Sequence, residues 1–348
     1  MNQALCAPLL TWFQQNQRDL PWRRDRDAYH VWLSEIMLQQ TRVQAVIPYY
    51  ERFLNICPTV RDLAALDEDR LLKLWEGLGY YSRARNLHRT ARIICQEYGG
   101  TFPADYTALR ALPGVGDYTA GAIGSIAFDL PVPAVDGNVL RVVSRLTADN
   151  RPIDEPKVKR ALTETVRDLL PVSHSGDFNQ ALMELGATIC PPSGTPRCGV
   201  CPVANLCEGY TQGIAATLPM KKAKKSRRIE ARTVLLLRAA GKIGLRRRPK
   251  QGLLAGLWEL PAYEGTLSPD AVRQRLADDG FSVAELLSLR PAKHIFTHVE
   301  WHMTGYEATL TALGNALTWV TPEQLRGAYA LPSAFRPFLR EWEDENGI

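Results

Sequence analysis

"LPGVGDYTAGAIGSIAF" (Leu112–Phe128) decides how this chain is read. Two glycines bracket one valine, Gly114-Val115-Gly116, and a helical run of unusually small residues follows. A tight turn between two helices accounts for most isolated G-V-G triplets. The alternative is that the next helix begins with bare backbone N–H groups, which bind an anion such as a phosphate. The run Ala120, Gly121, Ala122, Gly124, Ser125 and Ala127 then lets that helix approach a neighbour closely, at some cost in intrinsic helix stability.

Outward from this stretch, residues 1–212 read as helix after helix. "VWLSEIMLQQTRVQAVIPYYERFLN", "DRLLKLWEGLG", "RARNLHRTARIICQEYG", "PKVKRALTETVRDLL" and "DFNQALMELGATIC" carry apolar residues at three- and four-residue intervals, with Pro or Gly at the joints. Residues 213–230 include the basic run Lys221–Arg228, which has no core-forming periodicity and reads as a linker able to touch phosphates. From residue 231 to 348 the texture is α+β. "RTVLLLRAAGKIGLRRRP" gives two strands around a turn, "KHIFTHVEWHMTGYEATL" alternates like a half-buried strand, and "SPDAVRQRLADDGF" and "TPEQLRGAY" read as capped helices. The expectation is a multidomain chain, an all-α domain followed by an α+β domain.

Composition sets the boundaries of function. At 348 residues, with 45% hydrophobic and 23% charged residues, the chain has the make-up of an ordinary soluble protein and no apolar run of membrane-spanning length. No basic, apolar and small-residue succession of an export signal opens it, so an intracellular location is expected. A net charge of +5 permits a polyanionic partner without requiring one.

In a reducing compartment the spacing of seven cysteines matters more than their number. Cys6, Cys57 and Cys95 are scattered and read as small buried hydrophobes. Cys190, Cys198, Cys201 and Cys207 form C-x7-C-x2-C-x5-C in a proline-rich loop. Four thiolates so placed hold a zinc ion or a 4Fe-4S cluster; a single C-x2-C knuckle with one thiol on each side leans toward the cluster.

Two carboxylates stand out. Glu35 has Val31, Trp32, Leu38 and Gln39 at helical spacing, an apolar setting that would favour its protonated form and suit a general acid, unless the helix turns it to solvent. Asp136, in "PVPAVDGNVLRV", is either a turn-former and helix cap or a second carboxylate facing Glu35.

Taken in order, "LPWR", "VWLSEIMLQQT", "LWEGLGYYSRARNL", "LPGVGDYTAGAI", "VDGNV", "FNQALMELGATIC", the cysteine loop and "GLLAGLWELP" resemble the helix-hairpin-helix DNA glycosylase superfamily of endonuclease III type, over nearly the whole chain. Within it the match is to the adenine-specific branch. The resemblance implies a helix-hairpin-helix glycosylase domain with an iron-sulfur cluster loop and a Nudix-like C-terminal domain. It implies removal of adenine opposite 8-oxoguanine or guanine in duplex DNA, by a nucleoid-associated monomer that carries a 4Fe-4S cluster on Cys190, Cys198, Cys201 and Cys207.

Residue by residue, the resemblance makes Glu35 the acid that protonates the departing adenine, and Asp136 the group that stabilises the oxocarbenium-like sugar or traps it. Asn138 and Tyr118 would orient Asp136 and the reacting water. Gln40 and Tyr80 would wedge into the stack vacated by the flipped base, and Arg18, Leu20, Trp22, Arg23 and Gln180 would surround the adenine. Gly114 and Gly116 would meet phosphate. Thr297, where many relatives have Ser, and His298 would meet the oxidised base.

Besides Thr297, the first cysteine gap and Asp117 depart from the family's pattern, and Tyr118 separates two of its branches. Tyr118 stands where strand-cleaving relatives have a Schiff-base lysine, so excision should stop at an abasic site. The first cysteine gap is seven residues instead of the usual six, so the loop should bulge. Asp117 replaces a basic residue and is expected to cap its helix. The C-terminal half lacks the Nudix pyrophosphatase signature, and strand alternation makes His294, His298 and His302 a poor metal site. The rivals to this reading are a glycosylase-lyase for oxidised pyrimidines and a catalytically silent DNA-binding module with structural zinc.

Overall fold

The computed structural model describes residues 2–222 and 226–347; Ala223, Lys224 and Lys225 of the basic linker lie outside the described residues. The helices of the first two-thirds are, in order, α1 (Asn2–Asn16), α2 (Ala28–Leu38), α3 (Val43–Ile56), α4 (Val60–Ala65), α5 (Glu68–Leu74) and α6 (Ser82–Glu97). They continue with α7 (Tyr106–Ala111), α8 (Asp117–Phe128), α9 (Gly137–Leu146), α10 (Pro156–Leu169), α11 (Ser175–Thr188) and the short α12 (Glu208–Thr211). Contacts divide the chain into two compact units: residues 1–65 with 85–223, and residues 66–84 with 224–348. Residues 66–84, read as part of the helical half, thus cluster with the C-terminal unit. No helix among the described residues is long and apolar enough to cross a membrane.

In the first unit the apolar stripes of α1, α9, α10 and α11 share one core, built around Leu9, Phe13, Val143, Val166, Phe178 and Leu182. Each such side chain, fully buried, contributes roughly 1.5–3 kcal/mol. The opening stretch forms a helical hairpin. α7 ends at Ala111, Val115 N–H donates to the Leu112 carbonyl (3.1 Å), and α8 starts after Gly116. Gly114 has φ +76°, and a Cβ there would lie 2.7 Å from Asn86 Cβ, so the turn needs glycine on both grounds.

The small residues of α8 answer to packing. A Cβ on Gly121 would sit 2.1 Å from the Pro133 carbonyl oxygen, so the 130–135 segment lies directly on the helix. Asn179, fully buried in α11, accepts from Ala134 N–H (3.1 Å) and donates to the Val132 carbonyl and Ser125 Oγ (both 2.9 Å). The polar backbone of the segment is therefore satisfied as it closes on α8.

The second unit contains β1 (Arg228–Ala239), β2 (Lys242–Arg247), β3 (Trp258–Glu259), β4 (Ala262–Glu264), α13 (Pro269–Asp278), β5 (Val283–Ile295), β6 (Val299–Leu310), β7 (Thr318–Val320), α14 (Pro322–Gly327) and α15 (Arg340–Glu345). They build a mixed sheet of order β3-β2-β1-β6-β5, with β4 on β1 and β7 on β2; β1 and β6 run parallel. Each sheet face has its own core, one around Trp301 and Phe335, the other around Leu235 and Val272. Ser268 caps α13, and Thr321 with Gln324 forms a capping box on α14, as their sequences led one to expect.

Several details differ from the sequence reading. The stretch beginning "VWLSEIMLQQT" breaks at Gln39–Arg42, where Gln40 adopts φ +58°. "KHIFTHVEWHMTGYEATL" is the end of β5, a two-residue turn at Thr297–His298, and β6, with Phe296 N–H donating to the Val299 carbonyl (2.8 Å). No Gly, Asn or Pro marks that turn, so by alternation alone the stretch reads as one continuous strand. β1 starts at Arg228, inside the stretch read as linker. Asp117 is not the cap of α8: Gly116 holds that position without a side-chain bond, and Asp117 in the first turn pairs with Arg110.

Gly121→Ala should lower stability by at least ~1–3 kcal/mol, because the contact is with backbone that has nowhere to retreat. Thermal melting checks this: an unchanged transition would show that the 130–135 segment is free to move off α8.

Candidate active site

A cavity of about 740 Å3 opens in the first unit and gathers most of the residues singled out above. Arg18, Leu20, Trp22 and Arg23 come from the turn after α1, Glu35 from α2 and Gln40 from the bend that follows. Tyr118 comes from α8, Asp136 and Asn138 from the start of α9, and Gln180 from α11. Tyr80, Thr297 and His298 belong to the second unit. Gly114 and Gly116 are exposed at the hairpin.

Glu35 lies between Trp32 and Leu38 on a helix whose residues from Tyr29 to Met37 are nearly all buried, and it is itself only 7% exposed. Solvent does not reach it freely. Tyr118 Oη donates to Glu35 Oε2 at 2.5 Å. Burial pushes the Glu35 carboxyl up to about 7; the Tyr118 hydrogen bond opposes this, and the charge of Asp136 adds to it. The Tyr118 hydroxyl is held well above its ordinary range, first by burial and then by both carboxylates, so it remains a donor.

Asp136 combines the two roles that its sequence left open. It is the N-cap of α9, with Oδ1 accepting from Val139 N–H (2.8 Å), while Oδ2 accepts from Asn138 Nδ2 (2.7 Å). It also lines the cavity with Glu35. Burial raises its pKa and these hydrogen bonds hold it down, for a net rise. Arg141 fixes Asn138 in turn, donating to its Oδ1 at 2.9 Å and to the Cys190 and Gly186 carbonyls.

Glu184 is a site residue that the sequence reading missed. Its side chain is fully buried, accepts a two-pronged bond from Arg18 (2.6 and 2.9 Å) and a third bond from Arg23 (2.8 Å), and lines the cavity four residues after Gln180. That i, i+4 relation to Gln180 was the available signal. Burial alone would raise its carboxyl, but Arg18 and Arg23 outweigh burial and hold it below the usual glutamate value.

The four loop cysteines line one small apolar cavity with Arg145, Leu146 and Ile189. Among the described residues no three His, Cys, Asp or Glu side chains converge as a single metal ion requires. Four thiols that line one cavity are a donor set that fits a thiolate-bound metal group. Arg145 donates to Cys190 Sγ (3.1 Å) and to the Leu218 carbonyl, tying the loop to α9. Within the long first gap Pro192–Thr195 are exposed, and Gly194 has φ +79°.

Residues 33–168 match the model of the HhH-GPD superfamily of base excision DNA repair proteins, and residues 233–341 match the NUDIX domain. The chain is 36% identical to the adenine DNA glycosylase of Rattus norvegicus, covering 97% of this chain and 77% of the relative. The chain belongs to the adenine DNA glycosylase family. The enzyme of Homo sapiens is 34% identical over 98% of this chain and 74% of its own length. That of Buchnera aphidicola subsp. Baizongia pistaciae is 35% identical, covering 84% of this chain and 82% of the relative. Among solved structures, a thermostable thymine-DNA glycosylase superposes with TM-score 0.55 at 31% identity, over 61% of this chain and 97% of its own. A non-covalent endonuclease III–DNA complex shares the fold, with TM-score 0.51 at 24% identity, over 62% of this chain and 98% of that one. This adenine DNA glycosylase is thus a DNA N-glycosylase of base excision repair, with a helix-hairpin-helix domain and a Nudix-like domain, and its substrate is DNA.

The raised carboxyl has a stability consequence. Below the ordinary glutamate value of 4.5 Glu35 is protonated folded or unfolded, and it costs nothing. Between 4.5 and about 7 the folded protein keeps a proton that the unfolded chain has released, so stability falls as pH rises; above 7 the full penalty, on the order of 3 kcal/mol, is present. Glu35→Gln, which keeps an acceptor for Tyr118, should therefore melt higher than the parent at pH 8, with the gain vanishing toward pH 4.5. A gain that does not depend on pH would show that burial of the charge is not its source.

Proposed function

We propose that this adenine DNA glycosylase removes adenine mispaired with 8-oxoguanine or guanine, acting as a monofunctional hydrolase that flips the base and leaves the strand uncut. The reading is carried by one observation: Glu35 and Asp136 line a single cavity, and Glu35 holds a proton near neutral pH. Such a pair suits acid-assisted cleavage of a glycosidic bond.

In this mechanism the flipped adenine enters among Leu20, Trp22, Gln180 and the Arg18–Glu184–Arg23 cluster. Glu35 transfers its proton to the base as the C–N bond breaks, so adenine departs neutral. Asp136, whose carboxylate accepts from Val139 N–H and Asn138, faces the positive charge developing on the sugar or bonds to its anomeric carbon. Water then supplies the hydroxyl, giving an abasic site and free adenine. Tyr118 orients Glu35 and offers no amine for a Schiff base, so strand cleavage does not follow. Gly114 and Gly116 present backbone N–H groups to a DNA phosphate, and Gln40 and Tyr80 enter the stack. Both of these residues hold left-handed backbone, at φ +58° and +47°, a strain found preferentially at working sites. Thr297 and His298, at the tip of the β5–β6 turn, meet the oxidised base.

Cys190, Cys198, Cys201 and Cys207 would hold a 4Fe-4S cluster, which when bound cross-links the loop to the helical core. The enzyme is read as an intracellular, nucleoid-associated monomer.

The test is a duplex with one labelled adenine opposite 8-oxoguanine, worked up with and without hot alkali. A break only after alkali is expected; a break without alkali would overturn the monofunctional assignment. The single-turnover rate should fall as pH rises through about 7, where Glu35 loses its proton. Glu35→Gln should lower that rate by about 10²–10⁴-fold with duplex binding retained. A flat pH profile together with an active Glu35→Gln would remove Glu35 from the role of acid.

A further inference from the structure

Residues 66–84, which carry Tyr80, cluster with residues 224–348 and not with the other helices. Two polar anchors contribute to the association. Lys73 Nζ donates to the Leu325 and Tyr329 carbonyls (2.8 and 3.1 Å) and to Glu76 Oε2 (2.7 Å). Glu76 Oε1 accepts from Leu331 N–H (2.9 Å) and from the Arg336 guanidinium (3.0 Å). The Lys73 and Glu76 side chains are each 15% exposed, so this is a largely desolvated cluster and not a loose surface pair.

At the other end of the segment, Tyr80 Oη lies 3.1 Å from Thr297 Oγ1, at the turn between β5 and β6. The loop between these ends is internally braced. Trp75 Nε1 donates to the Gly79 carbonyl (3.0 Å), and Arg83 donates to the Leu78 and Gly79 carbonyls (2.8 and 3.1 Å) with its guanidinium against the Trp75 and Tyr80 rings. These bonds hold Tyr80 in its strained left-handed conformation.

We propose that Glu76 is a positioning residue: through Leu331 and Arg336 it fixes the register of the Tyr80 loop on the C-terminal unit. The ring that enters the stack and the hydroxyl that meets the opposite base then move as one body. Free energy gained at Thr297 from the correct opposite base reaches the extrusion step only through such a rigid connection, since two sites couple no more strongly than the element joining them allows. Glutamine cannot replace the carboxylate, because one of its two atoms is a donor and would face Lys73 or the Arg336 and Leu331 donors. The inference rests on the reading of Tyr80 as wedge and Thr297 as the residue that meets the oxidised base.

The experiment uses the full chain and duplexes with 2-aminopurine beside the target adenine, whose fluorescence reports extrusion, together with single-turnover excision opposite 8-oxoguanine and opposite guanine. Glu76→Gln should reduce the preference for 8-oxoguanine by about tenfold in both readouts, while excision opposite guanine stays within about threefold of the parent. Arg336→Gln should reproduce this, the double variant should add little more, and Glu76→Asp should recover part of the preference. An unchanged preference in Glu76→Gln overturns the proposal, as does equal loss on both duplexes accompanied by a lower melting temperature. Tyr80→Ala separates the two levels. If it abolishes extrusion while Glu76→Gln changes nothing, only the Glu76 assignment fails; if Tyr80→Ala leaves extrusion intact, the wedge reading falls and this inference with it.

Discussion

The Pro133 carbonyl oxygen occupies the place where a side chain on Gly121 would be, and the geometry of the active site follows from that contact. Because α8 presents hydrogen where other helices present carbon, the 130–135 segment lies against it and delivers Asp136 to the start of α9. The same device recurs nearby. Gly176 of α11 meets the Ser125 carbonyl, and a Cβ on Gly186 would lie 2.8 Å from Asn138 Cβ. Three glycines on two helices therefore set the backbone around Asp136, and short side chains suffice for the chemistry. Tyr118, one turn before Gly121 on the same helix, reaches Glu35 from the packed scaffold.

Within that scaffold two glutamates of one cavity are driven in opposite directions. Glu35 has a phenol hydroxyl and a nearby carboxylate for company, so burial dominates and the proton stays. Glu184 is at least as buried but faces two guanidinium groups, and stays ionised. Residue type and burial are the same, and the partner decides. Holding Glu35 in this state destabilises the fold above neutral pH, a cost that a site built for stability alone would not carry.

The C-terminal unit has a comparable logic at lower polarity. Its mixed sheet carries a separate hydrophobic core on each face. Residues 66–84 bury Leu71, Leu72, Trp75 and Leu78 and are tied to the unit as well by hydrogen bonds from a charged cluster. Hydrogen bonds of fixed geometry specify register more sharply than apolar contact, which is non-directional.

The sequence by itself determined the order of helices, the hairpin between α7 and α8 and the change of texture from helical to α+β. Each of these is written in local spacing, in apolar periodicity, paired glycines and caps, whereas most residues of the cavity were reached only through the family resemblance. It also marked Glu35 and Asp136 as candidates, because a carboxylate on an apolar face or before a helix is visible in a line of text. What only the tertiary structure decided was whether Glu35 faced solvent or the interior, and whether Asp136 was a cap or a site residue; it proved to be both. The partners of Glu184, the turn hidden in "HIFTHVEW" and the allegiance of residues 66–84 were equally illegible. The partners concerned stand 166 and 260 positions away, Arg18 for Glu184 and Arg336 for Glu76. Local pattern fixes which face a helix can bury; it does not name what lies against that face, and the partner sets the charge, the register and the proton.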